Sequence, residues 1–253
     1  MASDYQWQDG EKAGRQQSGR FYPPATFEDE MSEYGKSTPK RQAARRARRK
    51  RAPLQKQEAL LQAAVVEFAR EGYGGARVER ISRAAKSNDR MLYYYFGSKE
   101  RLFQRVVEYC YADIVARGEA LPVNLERPRE ALAGLVAFNW NYYWEKPELL
   151  SILASENLFK GCHIKGNISE AFANRQLGLL DRILKSGANS GEFKPDCDPL
   201  MVFLSILSLT YFYRANLYTL SNYVRVDFAK PELREKWLKH IQGMIDDLVR
   251  RFA

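Results

Sequence analysis

The chain has few of the side chains that most often carry metal or nucleophilic chemistry. Its 253 residues include only two histidines and three cysteines. The cysteines are odd in number and widely spaced, without a C-x-x-C pair, so the pattern predicts neither a disulfide framework nor a zinc cluster. The sequence also lacks the H-E-x-x-H, G-x-S-x-G and phosphate-loop signatures of common enzyme classes. An enzyme is therefore not expected.

Long hydrophobic runs are also missing. The N-terminus is polar and has no apolar signal core. The longest apolar run, Leu200 to Tyr213, is too short to span a bilayer and is followed by Arg214. Hydrophobic residues nevertheless make up 45% of the chain, which is enough to build a core. We expect a cytoplasmic protein with reduced cysteines.

Acidic residues are absent from one stretch, and this concentrates the positive charge. The formal net charge is +9, and residues 40–51 carry eight basic residues and no acidic one. Residues 52–103 add a net +3, whereas residues 104–253 are nearly neutral at +1. Residues 1–39 have a net charge of −3 and no apolar period, which predicts a disordered extension. The focused basic region indicates a polyanionic partner, either nucleic acid or an anionic membrane surface.

Apolar residues recur at helical spacing from Leu54 onward, and no sustained strand alternation competes with them. Glycine and proline fall between the helical segments, as helix ends require. The first helix is expected to begin after Pro53 and to end near Gly72. Later helices are predicted over Arg129–Trp144, Glu148–Phe159, Ser169–Lys185, Asp198–Leu217 and Pro231–Phe252. The pattern predicts an all-α fold.

The segment from Val78 to Leu102, VERISRAAKSNDRMLYYYFGSKERL, has the pattern of a helix-turn-helix. A short helix ends at Ala85, a tight turn follows, and Asn88 is placed to cap the next helix by accepting a backbone N–H. That second helix, Asp89–Phe96, is rich in basic and aromatic residues. Its N-terminus is expected to enter the major groove of DNA while tyrosine hydroxyls contact phosphates. Ser98 is the expected cap of the helix that follows.

Three groups of residues between Leu54 and Val107 match one known pattern. They are Ala63-Ala64, Phe68 and Glu71-Gly72-Tyr73; then Val78, Ile81 and Ala84-Ala85; then Leu92 to Leu102. This combination resembles the tetracycline-repressor (TetR) family of bacterial transcription regulators. The resemblance implies a three-helix DNA-binding domain at residues 53–98. It also implies a larger helical domain at residues 99–253 for effector binding and dimerisation.

The resemblance and the basic arm, residues 40–52, together give the expected DNA contacts. These are Arg45, Arg46, Arg48, Arg49, Lys50, Arg77, Lys86, Ser87, Asn88, Asp89, Arg90, Met91, Tyr93, Tyr94, Tyr95 and Lys99. Lys99 matches the family's phosphate-binding lysine. The turn departs from the usual Gly-Val-Ser, so Lys86 must adopt a geometry that glycine takes at lower cost. Arg90 is open to a guanine contact, a phosphate contact or solvent exposure. For the arm, non-specific reinforcement is favoured over minor-groove readout.

The C-terminal half supplies a candidate ligand pocket and a candidate dimer interface. The pocket candidates are Trp140, Tyr143, Trp144, Asn157, His163, Phe203 and Tyr211, each of which is also compatible with ordinary core packing. The interface candidates lie on the last long helices, which in the family form an intermolecular four-helix bundle. They are Leu204, Leu207, Trp237, Ile241, Met244, Ile245 and Leu248. The alternative is that this apolar stripe is buried within the monomer.

A metal site at Cys162-His163 is not expected, because two adjacent residues cannot supply a tetrahedral set. Glu156, Asp196 and Asp198 could add ligands if they lay close in space, but nothing in the sequence requires it. We therefore expect no cofactor.

The sequence thus predicts a homodimeric transcriptional regulator that binds double-stranded DNA and has no membrane partner. We expect a repressor that a small-molecule effector releases from a palindromic operator. The alternatives are a non-specific nucleic-acid-coating protein driven by the basic arm, or an activator without a small ligand.

Overall fold

Helices account for most of the chain that the structure describes. This computed structural model describes the backbone of residues 39–164 and 167–250, and the side chains of 53–164 and 173–250. The helices are α1 (Pro39–Gly75), α2 (Val78–Ala84), α3 (Asp89–Phe96), α4 (Lys99–Glu119), α5 (Pro128–Glu145), α6 (Pro147–Leu158), α7 (Asn167–Asn189), α8 (Pro199–Ala215), α9 (Leu217–Val224) and α10 (Pro231–Val249). The all-α fold is confirmed. Of the extension predicted to be disordered, residues 1–39, all but Pro39 lie outside the described residues, as does the predicted end of the last helix at Phe252.

Helix α1 begins earlier than the sequence pattern suggested. It starts at Pro39 rather than after Pro53, which lies inside the helix. The alanine, arginine, lysine and glutamine residues of 40–52 all have high helix propensity, and this explains the earlier start. The helical path breaks at Gly72, where φ is 66° and ψ is 177°, in agreement with the expected end of the first helix.

The predicted turn and caps of the helix-turn-helix are confirmed. Asn88 Oδ1 accepts the backbone N–H of Met91 at 2.9 Å, and Ser98 Oγ accepts that of Arg101 at 3.1 Å. Each cap satisfies one of the backbone donors left without a partner at a helix N-terminus. Lys86 has a φ of 50°, so it does adopt the left-handed geometry that glycine takes at lower cost. These features fix the orientation of α3.

The part of the chain from Arg51 onward packs as one compact unit around two apolar cores. The first core contains residues of all six helices from α1 through α6, among them Phe68, Phe103 and Leu149. The second joins α5, α7, α8 and α10, for example through Trp140 and Ile241. Because α5 and α6 contribute to the first core, the helix-turn-helix shares apolar contacts with the helices that follow it.

Helix α8 ends sooner than expected, and α9 was not predicted. The expected helix ran to Leu217, but α8 ends at Ala215 and α9 turns away from it by 71°. Asn216 lies at the bend, where its Nδ2 donates to the carbonyl of Phe212 at 2.9 Å. Asparagine side chains compete in this way with continued helix. No single helix in the described ranges is long and apolar enough to cross a membrane. Helices α8 and α9 reach that length and apolar composition only when they are taken together as a bent pair.

Candidate nucleic-acid interface and ligand cavity

Helix α3 has one face in the core and one face in solvent. Leu92 and Phe96, one turn apart, are buried in the first core, as expected. Arg90, Tyr93 and Tyr94 are exposed, and Tyr94 is 77% accessible. Positions i, i+3 and i+4 lie on the same side of a helix. The exposed face therefore presents one guanidinium and two phenols together, a set that can contact base edges and phosphates.

The other expected DNA contacts of the described region surround this face. Arg77, Lys86 and Asn88 are exposed; Ser87, Asp89, Met91, Tyr95 and Lys99 are half-buried. The arm residues Arg45, Arg46, Arg48, Arg49 and Lys50 belong to α1, and their side chains lie outside the described set. Which of these residues touches DNA stays a prediction.

Glu67 on α1 stabilises the start of the helix-turn-helix. The sequence analysis did not predict this role. It is 5% exposed. Its Oε1 accepts the backbone N–H of Arg77 at 3.0 Å and Arg80 Nε at 2.6 Å, and its Oε2 accepts from Arg70. Burial by itself would raise the pKa of Glu67, but these hydrogen bonds and the two arginine charges hold it below its ordinary value. Glu67 thereby fixes the start of α2.

Lys99 lies at the start of α4 against an aromatic ring. Its Nζ is 5.1 Å from the centroid of the Tyr73 ring, a cation–π contact. Burial lowers the pKa of Lys99, Arg77 lowers it further, and Glu67 opposes this. Burial and a neighbouring cation both disfavour the charged form of a lysine, and a nearby anion stabilises that form. This position therefore suits the phosphate contact that the sequence predicted for Lys99.

The end of α1 is tied to α6 by a hydrogen bond that links the DNA-binding segment to the C-terminal helices. The backbone N–H of Tyr73 donates to Ser155 Oγ at 3.0 Å. A Cβ at Gly72 would lie 3.2 Å from the same oxygen, and the φ of 66° already disfavours side chains there. Only glycine fits this close approach without strain. The ring of Tyr73 also packs 4.6 Å from that of His163.

A buried carboxylate organises the loop that follows α6. Glu156 is 1% exposed, and its Oε1 accepts the backbone N–H groups of His163 at 2.6 Å and Ile164 at 3.3 Å. Its Oε2 lies 2.8 Å from His163 Nδ1. Together with Cys162, these two residues place three possible metal-ligand atoms within 4.8 Å. Glu156 does approach the Cys162-His163 pair, but both of its oxygens already lie within hydrogen-bond distance of protein nitrogens.

A cavity of about 670 Å³ lies between α4, α5, α6, α8 and α10. It is lined by Tyr111, Ile114, Tyr143, Leu149, Leu153, Leu207, Ser208, Leu209, Tyr211, Phe212 and Trp237. No charged side chain occurs among these residues. Burial raises the pKa of all three phenols, so they are neutral hydroxyl groups. An apolar space with a few polar groups is typical of a small-molecule site.

The predicted pocket residues divide between this cavity and other places. Tyr143 and Tyr211 line it. Trp140 and Phe203 are buried in the second core, and Asn157 is exposed. His163 faces Tyr73, and Trp144 contacts two arginines. The sequence grouped these residues by their aromatic or polar character. In the structure, side chains that are close together on α5, such as Tyr143 and Trp144, pack against different neighbours.

The predicted interface residues also divide. Leu204, Met244 and Leu248 are exposed, while Leu207 and Trp237 are half-buried. Ile241 and Ile245 are 0% and 2% exposed, so they pack the chain's own second core and do not lie on an open face. In addition, Leu200, Met201 and Phe212 of α8 are exposed. The exposed apolar surface of α8 and α10 therefore overlaps the predicted set only in part.

The fold and the exposed α3 face define a helix-turn-helix DNA-binding regulator. Residues 60–106 match the family described as bacterial regulatory proteins, tetR family, and residues 128–245 match a tetracyclin repressor-like C-terminal domain. The chain is 44% identical to the HTH-type transcriptional repressor NicS of Pseudomonas putida, over 73% of this chain and 88% of that protein. It belongs to the TetR family.

Solved structures show the same fold. The fatty acid degradation regulator FadR from Bacillus halodurans superposes with a TM-score of 0.58 at 22% identity, covering 75% of this chain and 94% of that one. The transcriptional regulator SCO4942 from Streptomyces coelicolor gives 0.57 at 20% identity, covering 77% and 98%. At this identity the likeness extends to the fold alone.

Proposed function

We propose that the chain is a repressor that binds a palindromic operator as a homodimer and is released by a small molecule bound in the cavity. The exposed Arg90, Tyr93 and Tyr94 face of a capped helix is the observation that carries this proposal. The similarity to a transcriptional repressor over most of its length supports the direction of control. Such a protein acts on the chromosome in the cytoplasm and needs no catalytic group.

Two helices connect the cavity with the DNA-binding segment. Helix α6 lines the cavity through Leu149 and Leu153 and bonds Tyr73 through Ser155. Helix α4 lines it through Tyr111 and Ile114 and begins at Lys99. A ligand that moves α6 therefore shifts Tyr73, and a ligand that moves α4 shifts Lys99. The ligand releases the operator only if it binds the DNA-incompetent arrangement more tightly.

The exposed apolar faces of α8 and α10 support the homodimer. Leu204, Met244 and Leu248 are each more than 40% exposed, and large apolar patches on soluble proteins mark interaction sites. A two-fold dimer presents two copies of α3 to half-sites about 34–36 Å apart, one turn of DNA. The operator is then palindromic.

A gel-shift assay on the DNA upstream of the chain's own gene tests the proposed function. We expect a shifted band that survives excess non-specific competitor DNA. A band that the competitor removes completely would favour a non-specific coating protein instead.

Filling the cavity is expected to abolish the effector response without loss of operator binding. In Leu153→Trp, the larger side chain on α6 takes space that the ligand needs, so effector-dependent release falls by about 10-fold or more. Leu158→Trp is the matched control, since Leu158 lies on the same helix and is 83% exposed. The comparison uses operator release against concentration of a compound found by thermal-shift screening. Equal responses of the two variants would rule out this cavity as the effector site.

Deletion of residues 40–51 is expected to weaken operator binding while sequence preference survives. The segment carries eight cations. Each cation that neutralises a phosphate steepens the log–log salt dependence of binding by about 0.9. The measurement is the dissociation constant at several salt concentrations, with and without the segment. An unchanged slope and affinity at low salt would show that the arm does not contact DNA.

A further inference from the structure

Two arginines pack on the same indole without an anionic partner. The Cζ of Arg234 on α10 lies 3.6 Å from the Trp144 ring centroid, and the Cζ of Arg214 on α8 lies 4.9 Å from it. Neither arginine forms an ion pair or side-chain hydrogen bond within the described residues. Two guanidinium groups this close to one ring repel each other, and the fold provides no carboxylate in contact to offset that repulsion.

Three hydrogen-bond donors of this cluster are also left over. The Nε atoms of Arg214 and Arg234 and the indole Nε1 of Trp144 are shielded from solvent and have no hydrogen-bond partner. The three side chains as a whole are half-buried, so their remaining edges reach solvent. Buried unsatisfied donors are rare in native proteins and call for an explanation, such as a bound ion. All three groups here are donors, so the missing partner is an acceptor.

The charges around the cluster leave it positive. Burial lowers the pKa of Arg214; among its neighbours Arg234 lowers it further, while Tyr218 and Glu148 raise it. Arginine remains charged in proteins despite such shifts. A planar guanidinium pairs best with a carboxylate or phosphate through two parallel hydrogen bonds.

The two arginines do not line the cavity described above, but each lies one helical turn from a residue that does. Arg214 is one helical turn beyond Tyr211 on α8, and Arg234 is one turn before Trp237 on α10; Tyr211 and Trp237 both line the cavity. The cavity lining itself offers only neutral groups. An anionic ligand whose apolar body occupied the cavity would have to pair its charge with these two arginines.

We propose that Arg214 and Arg234, packed on Trp144, bind the oxyanion group of a small organic acid. This inference rests on the proposed function in one respect, because it assigns the acid group to the effector of that cavity. Binding itself is independent of DNA and is tested without it.

The test measures the melting temperature and indole fluorescence of the full chain with sodium benzoate, neutral benzamide or inorganic phosphate, each against sodium chloride of equal ionic strength. Benzoate is expected to raise the melting temperature and change the fluorescence, and benzamide is not. Phosphate acting more strongly than benzoate would identify a phosphate-bearing ligand as the source of the anion. Arg214→Gln and Arg234→Gln are expected to weaken anion binding about 10- to 100-fold.

Two further variants keep the result interpretable. Arg182→Gln removes an exposed arginine on α7 and is expected to bind like the unaltered chain. Arg234→Lys retains the charge but loses the two-pronged geometry, and we expect intermediate affinity. Anion responses that are equal in all variants, or that do not exceed the chloride control, would overturn the proposal.

Two other results separate this proposal from neighbouring ones. If no anion binds and Arg214→Gln weakens dimerisation in sedimentation experiments, the occupant is a carboxylate of a second copy and the proposal fails. If anions bind at the arginines but never affect operator binding, the oxyanion site stands and its assignment to the effector fails.

Discussion

Replacing Arg90 and Tyr94 together by alanine is expected to lower operator affinity by about 100-fold. A bidentate arginine contact to a base, or a charge-assisted hydrogen bond to phosphate, contributes about 1–3 kcal/mol each. Both side chains are exposed and contribute nothing to the first core, so the fold is expected to survive. The measurement is the dissociation constant for operator and for non-specific DNA. A loss on operator alone assigns this pair of side chains to base contacts, whereas a loss on both DNAs assigns it to phosphate contacts.

The matched control for this variant is Tyr218→Ala. Tyr218 on α9 is 75% exposed, almost the same as Tyr94 at 77%. Its removal deletes an equivalent exposed phenol outside the helix-turn-helix, and operator affinity is expected to stay unchanged. If the double variant bound the operator as tightly as this control, the α3 face would not be the reading surface.

Glu156→Ala is expected to lower the free energy of unfolding by about 1–3 kcal/mol, the usual cost of leaving buried hydrogen-bond donors without an acceptor. The substitution leaves two backbone N–H groups without their acceptor and the ring of His163 without its hydrogen-bond partner. Because that ring packs on Tyr73, the DNA-binding segment is expected to loosen from α6 as well. Denaturant unfolding measures the first effect, and hydrogen exchange at Tyr73 the second.

Glu145→Ala is the control for Glu156→Ala. Glu145 pairs with Arg117 at 3.0 Å, but its side chain is 61% exposed, so solvent screens the pair. Exposed pairs contribute about 0–1 kcal/mol. A loss for Glu156→Ala no larger than that of this control would mean that Glu156 does not organise the junction.

The helix-turn-helix was predictable in detail because its signals are local. Asn88 and Ser98 cap the helices that directly follow them, and Leu92 and Phe96 are spaced one turn apart. Lys86 likewise shows its positive φ at the turn where the family has glycine. Each of these features depends on residues within four positions of one another along the chain. Sequence patterns predict interactions over such short separations well.

The junction and the cavity were less predictable because they depend on residues far apart in the chain. The contact between Tyr73 and Ser155 spans 82 residues, and no spacing rule connects them. Similarly, Trp140 and Tyr143 look alike in a helical aromatic run, but one packs in the second core and the other lines the cavity. The same limit applies to α10, where the pattern could not tell buried Ile241 from exposed Met244.

Selection of bound DNA from a random library, with the full chain, tests the central claim most directly. We expect one enriched palindromic sequence with half-site centres about 10 base pairs apart, and loss of that enrichment in the Arg90→Ala/Tyr94→Ala variant. Recovery of DNA without any common sequence, at the same yield for both proteins, would contradict it.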